Sequence, residues 1–492
     1  MNTQDNNISI FALTDSHQEV RKLCCLFSGI IDQSSTKGRN TLICDCGDLF
    51  KGIYDKKLCI DSYLTLRKQL PEAKIVFAIG NNDFGFNQKN FAFLQETVQK
   101  FHEANINVLC SNLRDCKTDS CPEWIEPYAL LEINGKKIML TAFCINQIRL
   151  HNYGLQLIDS QKALSDLSDT IRYIKPDALI VLNHNLENSS LKLCETAEKC
   201  GIKIDLLIGG HEHSVVAPHE DLKIYYPQAF SRTMWHFDLT FSNNETALNN
   251  IEQYSCKIFS IKEVFDTPLK EYEARCGLNI PVAVSTLNLE RHYEEPSSLG
   301  TFIADVMKNE AHATIGMIST GYISHALRYE KGKILTYYNI ERAFSADVQL
   351  QTVALSPSEL KAVLENSIRN RYTHRTNNTR FLQCSQNVAF SCYCDENKNG
   401  RIKQIYINGD ALLDDEGLPL YPEHMIVCAV DPFIAAGEQD FNVLRSIGKE
   451  TIMRDNKMVT IRELFIQAVK EAENKYQAGS SYPSFKLIDL EK

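Results

Sequence analysis

The sequence predicts a layered α/β or αββα domain followed by a second folded domain, and three observations carry this. Five short apolar runs in the first half lead into polar residues, four of them through Gly or Asn, helix-length stretches separate them, and 492 residues exceed what one hydrophobic core holds. The 44% hydrophobic content, with no low-complexity tract, predicts a chain folded throughout.

Each run leads into polar residues. Ile8–Leu13 precedes Asp15 and His17, and Thr41–Cys46 precedes Gly47 and Asp48. Lys74–Ile79 leads into Gly80, Asn81, Asn82 and Asp83. Ser160–Ile174 places Leu164, Leu167, Ile171 and Ile174 at helical spacing, a helix covering the sheet before the next strand. Ala178–Leu182 then leads into His184, and Asp205–Ile208 into Gly209, Gly210, His211 and His213. Asp266–Gly277, with an early Pro, a charged middle and a closing Gly, reads as a helical linker. The expected organisation is a first domain over 5–260, a linker over 261–279 and a second domain over 280–478.

Residues at the ends of neighbouring strands converge on one sheet edge. Asp15 and His17, like His211 and His213, are two apart, so an extended chain points each pair to one side. Imidazoles with carboxylates suit Mn, Zn, Fe or Co better than Ca or Mg. Asp15, His17, Asp48, Asn81, His184, His211 and His213 are more donors than one ion needs. Two divalent ions sharing Asp48 would use all seven, and such a pair activates water and holds phosphoryl oxygens.

These blocks resemble the calcineurin-like metallophosphoesterase superfamily, in particular its two-domain 5'-nucleotidase branch, with the pattern D-x-H, G-D, G-N-H-E, a strand-terminal H and G-G-H-x-H. The resemblance implies a four-layer αββα metallophosphatase domain and a 5'-nucleotidase-type C-terminal α/β domain. It assigns Asp15, His17, Asp48 and His213 to one ion, and Asp48, Asn81, His184 and His211 to the other. Asn112-Leu113 and the strand-turn-strand over Ile133–Leu140 continue it. So do the helices opening at Ser298–Gly300 and following Leu355. By the same resemblance Phe381 and Phe441 stack the substrate base, with Gly321 and Gly437 beside them.

Two departures stand out. The family's His and Asp that assist the leaving oxygen correspond here to Asn82 and Gly85, which leaves Asp83 as the conceivable stand-in; general acid assistance contributes about 10²–10⁴-fold. The family's nucleotide-gripping Arg corresponds to Ser324, with Tyr322 in place of a glycine and Arg328 and Arg342 nearby. The expected function is therefore a 5'-nucleotidase-like phosphatase serving nucleotide catabolism. The alternatives are a phosphodiesterase on cyclic or diester nucleotides and a metal- or nucleotide-binding protein with little turnover.

A net charge of −10 argues against a nucleic-acid polymer as partner, so a small phosphorylated molecule is expected. No run approaches the ~20 apolar residues of a membrane span, and the first residues carry no basic or apolar leader. The expectation is a cytoplasmic protein with no membrane partner; oligomeric state is not readable. Seventeen cysteines, an odd number, many of them in apolar runs, read as reduced thiols, and Cys44 and Cys46 as packing. Asp395–Gly400 imitates half of an EF-hand loop, but Tyr406 stands where the bidentate acid is needed, so Asn399-Gly400 reads as a hairpin turn.

Overall fold

The apolar runs form strands and the amphipathic stretches between them form helices. The computed structural model describes residues 7–34, 38–50, 55–85, 88–146, 148–242, 245–285, 288–290, 292, 295–323, 328–341, 343–344, 348–369, 381–438, 440–475 and 486–489. Ser324, Arg342 and the segment from Gly479 to Ser481 lie outside the described residues, as does the side chain of Arg328. The chain divides into two compact units, 1–272 and 273–492.

In the first unit the order is β1 (Ile8–Leu13), α1 (Val20–Gln33), β2 (Thr41–Asp45), α2 (Lys56–Gln69), β3 (Lys74–Ala78), α3 (Gln88–Glu103) and β4 (Ile106–Leu109). There follow β5 (Leu113–Asp115), β6 (Tyr128–Ile133), β7 (Lys136–Cys144), β8 (Leu155–Leu157), α4 (Ser160–Ile174), β9 (Ala178–His184), α5 (Glu187–Lys199) and β10 (Leu206–Gly210). β11 (Ile224–Tyr225), β12 (Thr233–Ser242), β13 (Glu245–Ser255) and α6 (Glu263–Cys276) complete it. The division between the units falls inside α6, which Gly277 closes with φ of 64°.

One sheet runs β13-β12-β1-β2-β3-β4 and the other β11-β10-β9-β7-β6. Their inner faces share one apolar core, in which Ile10, Leu42 and Val76 of the first sheet meet Leu140, Ile180 and Ile208 of the second. Behind the second sheet, Leu164 and Ile171 of α4 and Leu193 of α5 pack on Phe143, Leu179 and Leu207. Aromatic rings of the first sheet and its helices, Phe27, Tyr63, Phe77 and Phe101, pack edge-on and tilted against one another. Helix, sheet, sheet, helix is the four-layer order the patterning predicts. β1, β2, β3 and β4 are parallel neighbours, as are β7, β9 and β10, so their C-terminal ends reach one edge in each sheet. The β6–β7 hairpin turns through Asn134 and Gly135, both left-handed at φ 53° and 68°, as a two-residue primed turn requires.

The second unit has a five-stranded sheet in the order Leu382–Cys384, Ile315–Ser319, Ile426–Val430, Gln351–Leu355, Lys449–Thr451. A four-stranded sheet is built around the hairpin Val388–Cys394 and Gly400–Ile407. Ser297 caps helix Ser298–Glu310 by accepting from Gly300 N, and Ser356 with Glu359 forms a capping box on helix Pro357–Ile368. In the EF-hand look-alike, Asp395 accepts from the Asn397 and Asn399 amides at 2.9 and 2.8 Å, and Lys398 takes the left-handed conformation at φ 62°. The turn thus closes on its own aspartate. Gly400 is already in the strand, where the Ile368 carbonyl would lie 2.4 Å from a Cβ. Among the described residues no helix is long and apolar enough to cross a membrane.

Gly316 fixes how closely helix Ser298–Glu310 approaches its sheet, since a Cβ there would sit 2.0 Å from the Ala304 carbonyl oxygen. Gly448 is exposed, with nothing within 4 Å of such a Cβ. Gly316→Ala is expected to lower stability by about 1–3 kcal/mol and Gly448→Ala to stay within about 0.5 kcal/mol. Urea denaturation of the full chain checks both.

Candidate metal centre

Seven side chains meet at the ends of five strands. Asp15 and His17 follow β1, Asp48 follows β2, Asn81 follows β3, His184 ends β9, and His211 and His213 follow β10. Ligand atoms of Asp15, His17, Asp48 and His213 lie within 4.8 Å of one another, as do those of Asp48, His184 and His211. Asp48 belongs to both groups. His184 Nε2 is 3.3 Å and His17 Nε2 3.7 Å from Asp48 Oδ2, while His213 Nε2 is 3.3 Å from Asp15 Oδ1. Asn81 Oδ1 lies 2.9 Å from His211 Nδ1 and 3.2 Å from His184 Nε2.

The strand-alternation argument for the paired ligands does not hold. Asp15, His17, Asp48 and His211 have φ of 48°, 45°, 59° and 73°, so the chain turns left-handed at each of them. Backbone hydrogen bonds hold these turns. Asp15 N, His17 N and Gln18 N donate to the carbonyls of Gly47, Asp48 and Leu49 at 2.8, 2.9 and 3.0 Å, which zips the loop after β1 to the loop after β2. Left-handed backbone costs about 1–2 kcal/mol per such residue, and it persists where the surroundings over-determine it. Side-chain chemistry selected the ligands in sequence, and loop geometry brings them together.

Asp15 and Asp48 are fully buried. Burial alone raises the Asp15 carboxyl, but His184, His17 and His213 more than reverse it and hold it well below the usual carboxylate range. Asp48 follows the same pattern, with His184 the leading partner, and is also lowered. His184 is opposed by burial but raised to about 10 by Asp48 and Asp15, whereas burial and its neighbour His184 push His211 down to about 4. The Cys46 carbonyl lies 2.7 Å from His184 Nδ1 and can only accept, so Nδ1 carries a proton and Nε2, which faces Asp48 at 3.3 Å, is the nitrogen that would give up its proton to take a metal.

A metal fits this donor set on direct grounds. Asp15 Oδ1 is buried with no hydrogen bond among the described residues, and the nitrogens nearest it are His213 Nε2 and His17 Nε2 at 3.3 and 3.5 Å. Two ionised carboxylates, four imidazoles and an amide carbonyl converge there, which is how a buried cation site is built.

In the segment after β3, Asn82, Asp83 and Gly85 each have defined surroundings. Asp83, considered above as the stand-in for the missing pair, accepts four backbone N–H groups: Asp48 and Gly80 on Oδ2, both at 2.9 Å, and Leu49 and Phe50 on Oδ1 at 2.8 and 3.0 Å. Burial and the neighbouring Asp48 raise its carboxyl to about 7, but both oxygens are engaged by backbone and the residue is 1% exposed, so it organises the loop and presents no acid to a substrate. Asn82 grips the shared ligand, its backbone N donating to Asp48 Oδ1 at 2.7 Å and its Nδ2 to Oδ2 at 2.5 Å. Gly80 is obligatory because a Cβ would lie 2.3 Å from Asp48 Oδ1. At Gly85, φ is 70° and a Cβ would meet Asn90 Cβ at 2.3 Å; Asn90 Oδ1 in turn accepts from Lys56 Nζ at 3.1 Å.

Beneath the loop the Tyr63 hydroxyl and the Gly47 amide donate to Asp45, whose carboxyl burial raises to about 6. Cys44 and Cys46 are buried, and Cys46 donates to the Ile208 carbonyl, so this pair serves packing. All seventeen cysteines are unbridged. In the second unit Phe381 and Phe441 are each 1% exposed within the core around Leu382, Ile434 and Leu444. Expected to stack a base, they offer it no exposed face, and packing is the role this burial supports. Gly437 is left-handed at φ 74° against Arg445, and Gly321 lies in the short turn after strand Ile315–Ser319.

The Asp83 hub and the hydrogen bonds to Tyr63 and Asn82 carry no signature in the sequence, since each needs spatial neighbours distant along the chain. Asp83→Ala strands four buried N–H groups. It is expected to destabilise the protein by at least about 1–3 kcal/mol and to weaken Mn²⁺ binding about 10–100-fold, checked by melting and calorimetry.

Comparison with known proteins agrees with this architecture. Residues 8–215 match the family described as calcineurin-like phosphoesterase, and residues 279–446 match the 5'-nucleotidase C-terminal domain. A curated relative, the trifunctional nucleotide phosphoesterase protein YfkN of Bacillus subtilis, is 22% identical over 420 residues, which is 74% of this chain. The chain spans only 28% of that relative's length over the match. Among solved structures, the 5'-nucleotidase precursor of Thermus thermophilus superposes with a TM-score of 0.74 at 16% identity, covering 99% of this chain and 100% of that one. The sulfate thiohydrolase SoxB of Thermus thermophilus has a TM-score of 0.71 at 15% identity, covering 96% and 83%. These likenesses show the fold, and the two matched families, one on each unit, together span well over half the sequence. The chain therefore belongs to the calcineurin-like phosphoesterases that carry a 5'-nucleotidase C-terminal domain.

Proposed function

We propose that this protein is a metal-dependent hydrolase of small phosphate esters, nucleotides foremost, using two divalent ions. The observation that carries the reading is the membership of Asp48 in both ligand groups. Asp15, His17, Asp48 and His213 would hold one ion; Asp48, Asn81, His184 and His211 would hold the other. Bound ions of this kind polarise phosphoryl oxygens and lower the pKa of water, and their charge exceeds that of the two carboxylates, so the site attracts phosphate. Asn82 fixes the orientation of the shared carboxylate, Asp83 holds the loop that presents it, and the Cys46 carbonyl sets the His184 tautomer. The nucleotide part of the reading is supported by the family matches and by the name of the Bacillus relative. A reducing, cytoplasmic setting is supported by the seventeen unbridged thiols.

A second reading, phosphodiesterase, is favoured by the segment after β3. The amide of Asn82 cannot deliver a proton, Gly85 carries no acid, and Asp83 is engaged by backbone. A leaving oxygen gains no side-chain acid from this segment, so esters whose leaving group is stable as an anion are preferred.

The test is hydrolysis of 4-nitrophenyl phosphate and of bis(4-nitrophenyl) phosphate, each with Mn²⁺ and with chelator. Chelator-sensitive turnover is expected, with a higher kcat/KM on the better-served ester fixing the class. Mn²⁺ should bind at two equivalents per chain. Asp48→Asn should disturb both sites and lower kcat/KM by more than the roughly 10–100-fold typical of losing an outer-shell partner. Full activity in that variant overturns the reading. Two bound ions with no turnover on either ester would point instead to a binding protein.

A further inference from the structure

The turn entering β12 carries a second departure from ordinary backbone. Phe230 and Ser231 are both left-handed, at φ 65° and 50°. A bulky side chain there is a genuine outlier, and such outliers persist where the surroundings enforce them, often at functional sites. Here the surroundings are the metal centre. Phe230 N donates to the Asp15 carbonyl at 2.7 Å. The Phe230 ring lies 5.2 Å from the His17 ring and 5.0 Å from the His213 ring, centroid to centroid, against two ligands of the same group. The Ser231 hydroxyl is buried and has no hydrogen-bond partner among the described residues, so the turn is not held by its own side-chain bonding.

On that ring sits a cation. The Arg232 guanidinium carbon is 5.4 Å from the Phe230 centroid, and the residue is exposed. An aromatic ring beneath a guanidinium restrains it while leaving its planar fork of donors available for anionic oxygens. The guanidinium carbon and the rings of two ligands that the reading above gives to an ion thus lie around one phenyl ring, each 5.0–5.4 Å from its centroid.

Resting on the two-ion reading, we propose that Arg232, seated on Phe230, is a second anion-binding group beside the metal centre and selects phosphate esters bearing a further anionic group close to the reacting phosphoryl.

The experiment compares two non-hydrolysable ligands, methylphosphonate and 3-phosphonopropionate, which share a phosphonate and differ by a carboxylate. Their binding to the Mn²⁺-loaded full-length protein is measured by calorimetry. Wild type is expected to favour 3-phosphonopropionate, and Arg232→Ala to reduce the ratio of the two affinities on the order of tenfold. Arg232→Lys, which keeps charge without the fork, should fall between. Should Arg232→Ala fail to fold by circular dichroism, Arg232→Gln replaces it with the stem retained. An unchanged ratio with both ligands bound overturns this proposal alone. Failure of the loaded wild type to bind either ligand overturns the phosphate-ester reading and this proposal with it.

Discussion

Two carboxylates, Asp15 and Asp48, lie buried at the edge where two sheets end, and the architecture around them is what lets them stay ionised. An isolated charge in so low a dielectric would neutralise or draw in water. Here four imidazoles surround the pair, the His211 amide donates to Asp15 Oδ2 at 2.8 Å, and both donors of Asn82 close on Asp48. The remaining deficit, an Asp15 oxygen that lacks a hydrogen bond and faces the Nε2 atoms of His17 and His213, is where a cation fits. Electrostatics and cation binding are one problem here. Stability sacrificed to hold the charges is recovered on occupancy, since a ligand that binds only the folded state stabilises it by mass action.

The scaffold's part is to bring loops, not strands, into register. Parallel strands deliver chain ends to one edge, and the ligands follow or end those strands. The chain turns left-handed at Asp15, His17, Asp48 and His211, and the ladder between the loops after β1 and β2 keeps the turns from relaxing. Asp83 does for the loop after β2 what a cap does for a helix, giving four amides a common acceptor. That second tier explains why a rigid site arises from segments with no regular secondary structure.

How much of this was legible in the sequence follows from the range of each interaction. The four-layer arrangement was legible because apolar runs and the α4 spacing are local patterns, and the ligand residues because His and Asp after a buried strand are chemically conspicuous. The strand-turn-strand over Ile133–Leu140 came from the family resemblance, and its turn lies at Asn134-Gly135. The paired-ligand geometry was misread: spacing of two implies a common side only in extended chain, and φ at those positions is positive. Phe381 and Phe441 were read as substrate aromatics from their segments, yet burial is a property of what packs on them, which no single segment reveals. Asp83 looked like a replacement acid because its identity was visible and its four backbone partners were not.

The packing at Gly85 bears on redesign as much as on chemistry. With Asn90 filling the space a side chain would need and Lys56 engaged by Asn90, the position is coupled to two others. An acid could be placed there only with a change at Asn90, and the left-handed backbone would have to be rebuilt as well. Giving this segment a side-chain acid is therefore a repacking of three positions, whereas the metal-ligand cluster itself would need no alteration.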